Sequence, residues 1–264
     1  MTAPIQRGVF FARVRTSGVF GPTLSQTVVN GLTGILDAWE QQGWPLDLRF
    51  VAYTIATAWH EARLDLGIRE VGRGIGHPYG KPAGPYGLIY YGRGPCQLTW
   101  YDNYVAFGKL LGIDLAREPD RALEPLIGAA ILVIGSRDGL FRHGKSLAAF
   151  FSATRDDPTG ARDIINGDTA KNGAAIARYH RIVLGCLEGA MLPAGSPIPV
   201  GKVETAPLAP PPAAAPQAKS PASPVPAERV LAIAAERKPA PKPAAPARAP
   251  SLARRILDRI TGKA

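Results

Sequence analysis

Apolar residues recur at helical spacing through most of the first 190 positions. Residues 24–39 carry Ile35, Leu36 and Trp39 on one face, which predicts a helix. Asp47 stands where an N-cap belongs, ahead of Phe50, Val51, Ile55, Ala58 and Trp59, and predicts a second helix ending near Arg63. The same spacing returns over 101–111, 124–135, 146–151, 157–165 and 170–187. Residues 71–89 break it: they are rich in Gly, Pro and Tyr, and predict a long irregular loop. Such a loop inside a compact domain is usually functional or disordered. No internal repeat is present, and the fold class that follows is mostly α.

The pattern stops near residue 191. Of the 26 Pro in the chain, 16 fall between Pro193 and Pro250, among many Ala, and no aromatic residue follows position 191. Such a composition cannot bury enough surface to offset the entropy of ordering, so 191–250 is predicted to be a disordered linker. Within it, only 228–238 has the makings of a transient helix. Residues 251–264 differ again. Ser251 is placed to cap a helix with Leu252, Ile256, Leu257 and Ile260 on one face and Arg254, Arg255, Arg259 and Lys263 around the rest. This predicts a short basic amphipathic helix suited to an anionic membrane surface or a partner groove. The chain thus divides into a domain over 1–190, a linker over 191–250 and a terminal helix over 251–264.

Charge follows the same division. Residues 1–190 hold 20 Lys/Arg against 17 Asp/Glu, while 191–264 hold 11 against 4, so most of the net +10 belongs to the tail. A basic tail suits anionic partners, or is simply a solvated segment. Nucleic acid is not expected, because the tail offers no aromatic stacking platform. Cys96 and Cys186 sit among apolar neighbours and predict buried free thiols rather than a disulfide. Charges interrupt the apolar run at residues 10–15, so no cleavable signal peptide is expected and the protein would be made in the cytoplasm. The longest apolar stretch, 126–134, is far too short to span a bilayer.

Two segments carry candidate chemistry. One is Ala56-Thr-Ala-Trp-His-Glu61 followed by Ile68-Arg-Glu70-Val-Gly72; the other is Tyr90-Tyr-Gly-Arg-Gly-Pro-Cys-Gln-Leu-Thr-Trp100 followed by Asn103. A zinc helix is excluded, since it needs a second His at position 64 and Leu stands there; no metal or other cofactor is expected. Two carboxyls of unequal environment suit a hydrolase better. Glu61 falls near the C-terminal end of its helix, where the dipole and an apolar wall such as Trp59 favour a protonated general acid. Glu70 lies beside Arg69 and near Arg73, cations that favour an ionised general base. A rival pair is Glu61 with Asp65, one helical turn on. Carboxyls roughly 5–5.5 Å apart suit retention, and roughly 6.5–9.5 Å suits inversion. In Gly92-Arg93-Gly94-Pro95, glycines allow close approach of either another strand or a sugar ring. Gln97, Thr99 and Asn103 offer the amides and hydroxyl that sugar hydroxyl and acetamido groups need, and Trp100 offers a ring face; a polar turn packed on a helix fits them equally well.

These strings, with Ile164-Ile-Asn-Gly167, resemble the glycoside hydrolase family 19 chitinases, and their bacterial and phage endolysin branch most of all. The resemblance covers about residues 10–188 and keeps the family's motif order. It implies a lysozyme-like, mostly α (α+β) fold with two helical lobes around a substrate cleft, and a single-displacement, inverting mechanism. By motif position Glu61 matches the general acid and Glu70 the general base. Thr99 stands where plant members carry a Ser that holds the attacking water. His60, Gln97, Asn103 and Asn166 match substrate-contacting positions. Plant members carry a further Glu soon after the Ile-Asn-Gly run, where this chain has Asp168 and Thr169.

The expected function is hydrolysis of β-1,4 bonds in an N-acetylglucosamine-containing glycan by a monomer. The basic tail and the endolysin resemblance point to peptidoglycan, with action at the cell wall or outside the cell after release. Chitin is the alternative substrate. An inactive glycan-binding module with a basic interaction tail is the alternative of another class.

Overall fold

The computed structural model describes residues 5–142 and 144–191. In chain order its helices are α1 (Arg7–Ser17), α2 (Gln26–Gln42), α3 (Leu48–Ala62), α4 (Tyr101–Leu111), α5 (Pro125–Asp138), α6 (Leu147–Phe150) and α7 (Ala174–Gly189). Short 3-10 turns at Pro78–Gly80, Pro119–Leu123 and Gly160–Ile164 and a π turn at Thr169–Gly173 link them. The helix boundaries have local chemical causes. The Ser25 hydroxyl accepts from Val28 N–H at the start of α2, and the Asp47 carboxylate accepts from Arg49 N–H at the start of α3. Pro125 opens α5, where its missing N–H costs nothing. Gly43, Gly112 and Gly139 close α2, α4 and α5 in the left-handed conformation.

α3 is the central element. Residues 51–58, His60 and Ala62 are all buried, so the helix is enclosed on nearly every side through its middle. It packs against α7 most extensively and also meets α2 and α5. The Trp39 indole N–H donates to the Thr54 hydroxyl at 3.0 Å, which satisfies both polar groups inside the core. One connected core runs from Phe10 through Leu36, Ile55, Leu98 and Phe107 to Leu187.

The mostly helical class read from the pattern is the observed one. Among the described residues the β component is limited to isolated antiparallel bridges, Arg69 with Arg93, Arg93 with Leu98, Ala83 with Leu88 and Phe151 with Asp156. Two sequence readings are corrected. The helix read over 157–165 is a 3-10 turn at Gly160–Ile164, and the one read from 170 begins as a π turn. α1 carries no broad apolar stripe: only Phe10 and Val14 are buried, and they find partners through docking on α7, where Gln6 N–H also donates to Ala190 C=O at 3.0 Å. Residues 71–89 are irregular as read, apart from the Pro78–Gly80 turn. Both cysteines are buried free thiols. No described helix is long and apolar enough to cross a membrane. The linker over 192–250 and the terminal helix over 251–264 lie outside the described residues.

Candidate active site

The site begins where α3 ends. Arg63 and Leu64 take positive φ, so the chain leaves the helix directly after Ala62. Glu61 therefore sits in the last turn. Asp65 does not lie one helical turn beyond it: the helix has stopped, and Asp65 is exposed and accepts from Gly67 N–H at 2.9 Å. The rival pair of Glu61 with Asp65 loses its geometric basis.

Ile68–Glu70 then runs in extended form beside a hairpin built by Tyr90–Trp100. Glu70 N–H donates to Gly92 C=O at 2.8 Å, Gly94 N–H to Ile68 C=O at 2.9 Å, and Leu98 N–H to Arg93 C=O at 2.9 Å. Gly92 marks the tightest point. A Cβ there would lie 2.6 Å from Gln97 Oε1 and 3.2 Å from Glu70 Cβ. The Gly-Arg-Gly string is thus small because another extended segment and a side chain pack on it. Arg93 turns away from the site. Its guanidinium is buried, lies 3.6 Å from the Tyr91 ring centre, and donates to Asp120 at 2.8 Å and to the Tyr104 hydroxyl at 3.1 Å. It pins the hairpin to α4 and to the Pro119–Leu123 turn.

The two glutamates have unlike surroundings. The Glu61 side chain is 7% exposed and paired with Arg162, whose own side chain is 2% exposed. Arg162 also grips Asp168, with Nε 2.5 Å from Oδ1 and Nη2 3.3 Å from Oδ2. The Asn172 amide donates to the same Asp168 carboxylate. Burial opposes the Arg162 charge, but Glu61 and Asp168 outweigh it and hold the guanidinium above its ordinary range. Burial likewise opposes the Asp168 charge, and Arg162 with Asn172 outweighs it, so this carboxyl is held below the usual range. The apolar wall expected from Trp59 is not there. Residues two apart on a helix point in different directions, and the Trp59 ring instead meets Phe20 at 5.0 Å and the Arg63 guanidinium at 5.1 Å.

Glu70 is buried, and its carboxylate is held by two donors. The Tyr79 hydroxyl donates to Oε1 at 2.7 Å, and Gly92 N–H donates to Oε2 at 2.7 Å. The cations expected beside it are elsewhere. Successive side chains of an extended segment point to opposite faces, so Arg69 reaches Tyr91 and Asp120 at 2.8 and 3.0 Å. Arg73 is exposed in the following loop.

The remaining candidate residues gather around the hairpin and the end of α3. Gln97 and Thr99 are buried, and Gln97 Oε1 and Thr99 Oγ1 have no hydrogen-bond partner within the protein; the same holds for His60 Nδ1 and Trp100 Nε1. Polar atoms so buried are nearly always paired, either within the protein or with water. Gln97 and Trp100 also hold positive φ, 52° and 70°, an unusual conformation for side-chain-bearing residues and one that clusters at functional sites. Burial pushes the His60 imidazole below its ordinary value, and the nearby Glu61 opposes that. Asn103 spends its amide on Thr99 C=O at 2.9 Å, which ties the start of α4 to the hairpin. Asn166 lies half-buried between Arg162 and Asp168, and its N–H donates to Arg162 C=O. The Cys96 thiol, pushed up to about 12 first by burial, also feels the charge of Glu61. The hairpin turn that follows Gly92 at Glu70 therefore reaches into the field of Glu61.

Sequence reasoning did not find Arg162 or Tyr79. Arg162 carried a signal, a lone cation four residues before Asn166; Tyr79 carried none beyond its place in a Gly- and Pro-rich loop. Among the described residues no three His, Cys, Asp or Glu converge as a metal site would require. A shallow hollow of ≈ 330 Å³ along α4, lined by Gly108, Ile113 and Leu115, contains none of the candidate residues.

No family model matches the chain. It is similar to plant endochitinases over about a quarter of its length. An endochitinase of Arabidopsis thaliana is 41% identical over 76 residues, 27% of this chain and 26% of that protein. An inactive chitinase-like protein of Hevea brasiliensis is 54% identical over 39 residues, 15% of this chain and 12% of its own. The chain thus spans about a quarter or less of the length of these relatives. Among solved structures, chitinase C from Streptomyces griseus aligns over 69% of this chain and 93% of its own, with 23% identity and a TM-score of 0.45.

Proposed function

We propose that the domain is an inverting glycoside hydrolase that cleaves β-1,4 bonds of an N-acetylglucosamine-containing glycan. Glu61 acts as general acid and Glu70 as general base. The observation that carries this reading is the pair of buried carboxyls in unlike settings, Glu61 on a guanidinium and Glu70 between a hydroxyl and a backbone N–H.

Each part has a task in that reaction. Glu61, protonated in the reacting state, delivers its proton to the glycosidic oxygen. The negative charge it acquires meets Arg162 already in place, so no reorganisation is needed as the charge develops. Asp168 keeps Arg162 neutralised while Glu61 holds its proton. Each oxygen of Glu70 accepts one donor and keeps a lone pair with which to take a proton from water. The Thr99 hydroxyl helps hold that water. Gln97, His60, Asn103 and Asn166 meet the sugar's hydroxyl and acetamido groups.

The endochitinases similar to this chain support the bond class and favour chitin as substrate. The basic tail favours peptidoglycan, because it suits an anionic envelope where the chain would act after release. Mass spectrometry of products from chitin oligomers and from purified peptidoglycan separates the two and names the cut bond. Proton NMR of the first product tests inversion, and a β-anomer formed first from a β-linked glycan would refute it. A protein that binds these glycans and leaves them whole would be an inactive glycan-binding module, as the likeness to an inactive relative makes worth testing. Lysis of outer-membrane-bearing cells with and without residues 192–264 tests the tail; equal lysis removes its role.

A further inference from the structure

The loop after Glu70 is a chain of tight turns that returns to the residue it left. Arg73 N–H donates to Glu70 C=O, Ile75 N–H to Gly72 C=O, His77 N–H to Gly74 C=O and Gly80 N–H to His77 C=O, at 2.9–3.2 Å. Gly72, Gly74 and Gly76 hold φ near +80° at the third position of the first three turns, where a side chain would be strained. The loop then closes on itself. A Cβ on Gly80 would lie 1.8 Å from Gly74 C=O oxygen, and one on Gly74 would lie 2.7 Å from Gly80 Cα. This clasp fixes Tyr79, the neighbour of Gly80, with its ring inward. The ring stacks on His77 at 4.9 Å, meets Trp100 edge-on at 5.6 Å, and its hydroxyl reaches Glu70 at 2.7 Å. Val71 and Ile75, by contrast, point outward and are 86% and 84% exposed. The loop therefore holds few apolar contacts of its own; what it delivers is the Tyr79 hydroxyl.

We propose that Tyr79 is a positioning residue for the base, holding the Glu70 carboxylate in the one orientation that lets it take a proton from water. The proposal rests on the reading of Glu70 as base. The terminal torsion of a glutamate is broad and roughly two-fold, so one anchor at Gly92 N–H leaves the carboxylate free to rock. A second donor on the other oxygen defines its plane. A charge-assisted O–H···O bond of this length is strong, and misplacing a reacting group by about 1 Å costs on the order of 10²-fold. Tyr79 thus acts through Glu70.

The test is steady-state kinetics of the full chain on an N-acetylglucosamine oligomer, with Tyr79→Phe, Tyr79→Leu, Glu70→Gln and the Glu70→Gln/Tyr79→Phe double variant. The expected result is that Tyr79→Phe lowers kcat roughly 10- to 100-fold and leaves KM within about twofold. Tyr79→Leu should lose about as much, and the Phe change should cost nothing further once Glu70 is Gln. Wild-type kcat in Tyr79→Phe overturns the proposal, and so does an equal further loss in the Glu70→Gln background. Unfolding of Tyr79→Phe overturns it too, since the hydroxyl would then hold the fold rather than the carboxylate. A wild-type chain with no turnover on any N-acetylated glycan instead refutes the hydrolase reading beneath it.

Discussion

Glu61, in the last turn of α3, is paired with Arg162, which lies 101 residues further along the chain in a 3-10 turn. Arg162 has no other carboxylate partner within reach than Asp168 among the ion pairs of the described residues. A buried guanidinium with two acidic partners can lose one of them to protonation and stay neutralised. That property is what a proton donor at Glu61 needs from its neighbour.

Replacing Glu61 by Gln should lower turnover of a natural oligomer by roughly 10²–10⁴-fold without unfolding the protein, because Asp168 still pairs Arg162. The same variant should recover most of its rate on a substrate whose leaving group is an acidic phenol, which needs no proton. Glu70→Gln should recover nothing on that substrate, since water activation is still missing. Rate measurements on the two substrate types check this; the opposite pattern would exchange the two roles.

Arg162→Met should cost stability as well as rate. Removing one partner of a buried ion pair leaves charge uncompensated, at roughly 3–5 kcal/mol. Arg162→Lys should cost less in stability but still reduce kcat, because an ammonium cannot serve Glu61 and the Asp168 carboxylate with one planar fork. Urea unfolding curves beside kcat for both variants decide it.

Gly80→Ala should separate activity from stability. Its Cβ would meet Gly74 C=O oxygen at 1.8 Å, so the clasp must open and Tyr79 must leave Glu70. The neighbouring loop residues Val71, Gly72, Arg73 and Ile75 are exposed, and little core packing depends on them. The expected outcome is a kcat lowered at least as far as in Tyr79→Phe, with a melting temperature within a few degrees of wild type.

Stability should fall on mild acidification. His180, buried beneath Phe151 and Tyr53, is lowered from 6.5 to about 4, first by burial, against the opposing Arg49 C=O and Asp156 and with the help of Arg181 and Arg49. The unfolded chain protonates this imidazole near 6.5 and the folded chain does not until about 4. The unfolded state therefore binds the extra proton in that window. Stability is full above 6.5 and is lost as pH drops toward 4, by up to about 3 kcal/mol. His60 is shifted the same way. Asp168 and Asp157, held below the usual carboxylate range, add losses only at lower pH. Denaturant titrations from pH 8 to 4 on wild type and His180→Phe check this, and the variant should show the shallower slope.

Much of the scaffold was legible because its causes are local. Asp47 caps α3 through a backbone N–H two residues away, and α4 spans the residues its spacing predicted. The irregular course of 71–89 was legible from its Gly and Pro content. α1 was not, because its two buried residues become a helix face only against α7.

Side-chain identity along the chain was enough to place α2, α3 and α4 and the irregular stretch after Glu70, since periodicity, capping and turn propensity act over a few residues. Which groups stand against Glu61 and Glu70 was settled by packing alone. Arg162 and Tyr79 reach them across contacts that no local spacing encodes, while Trp59, Arg69 and Arg73, the sequence neighbours, point elsewhere. Electrostatic surroundings depend on distance through space, and backbone direction at a helix end or in an extended segment decides which neighbour is near.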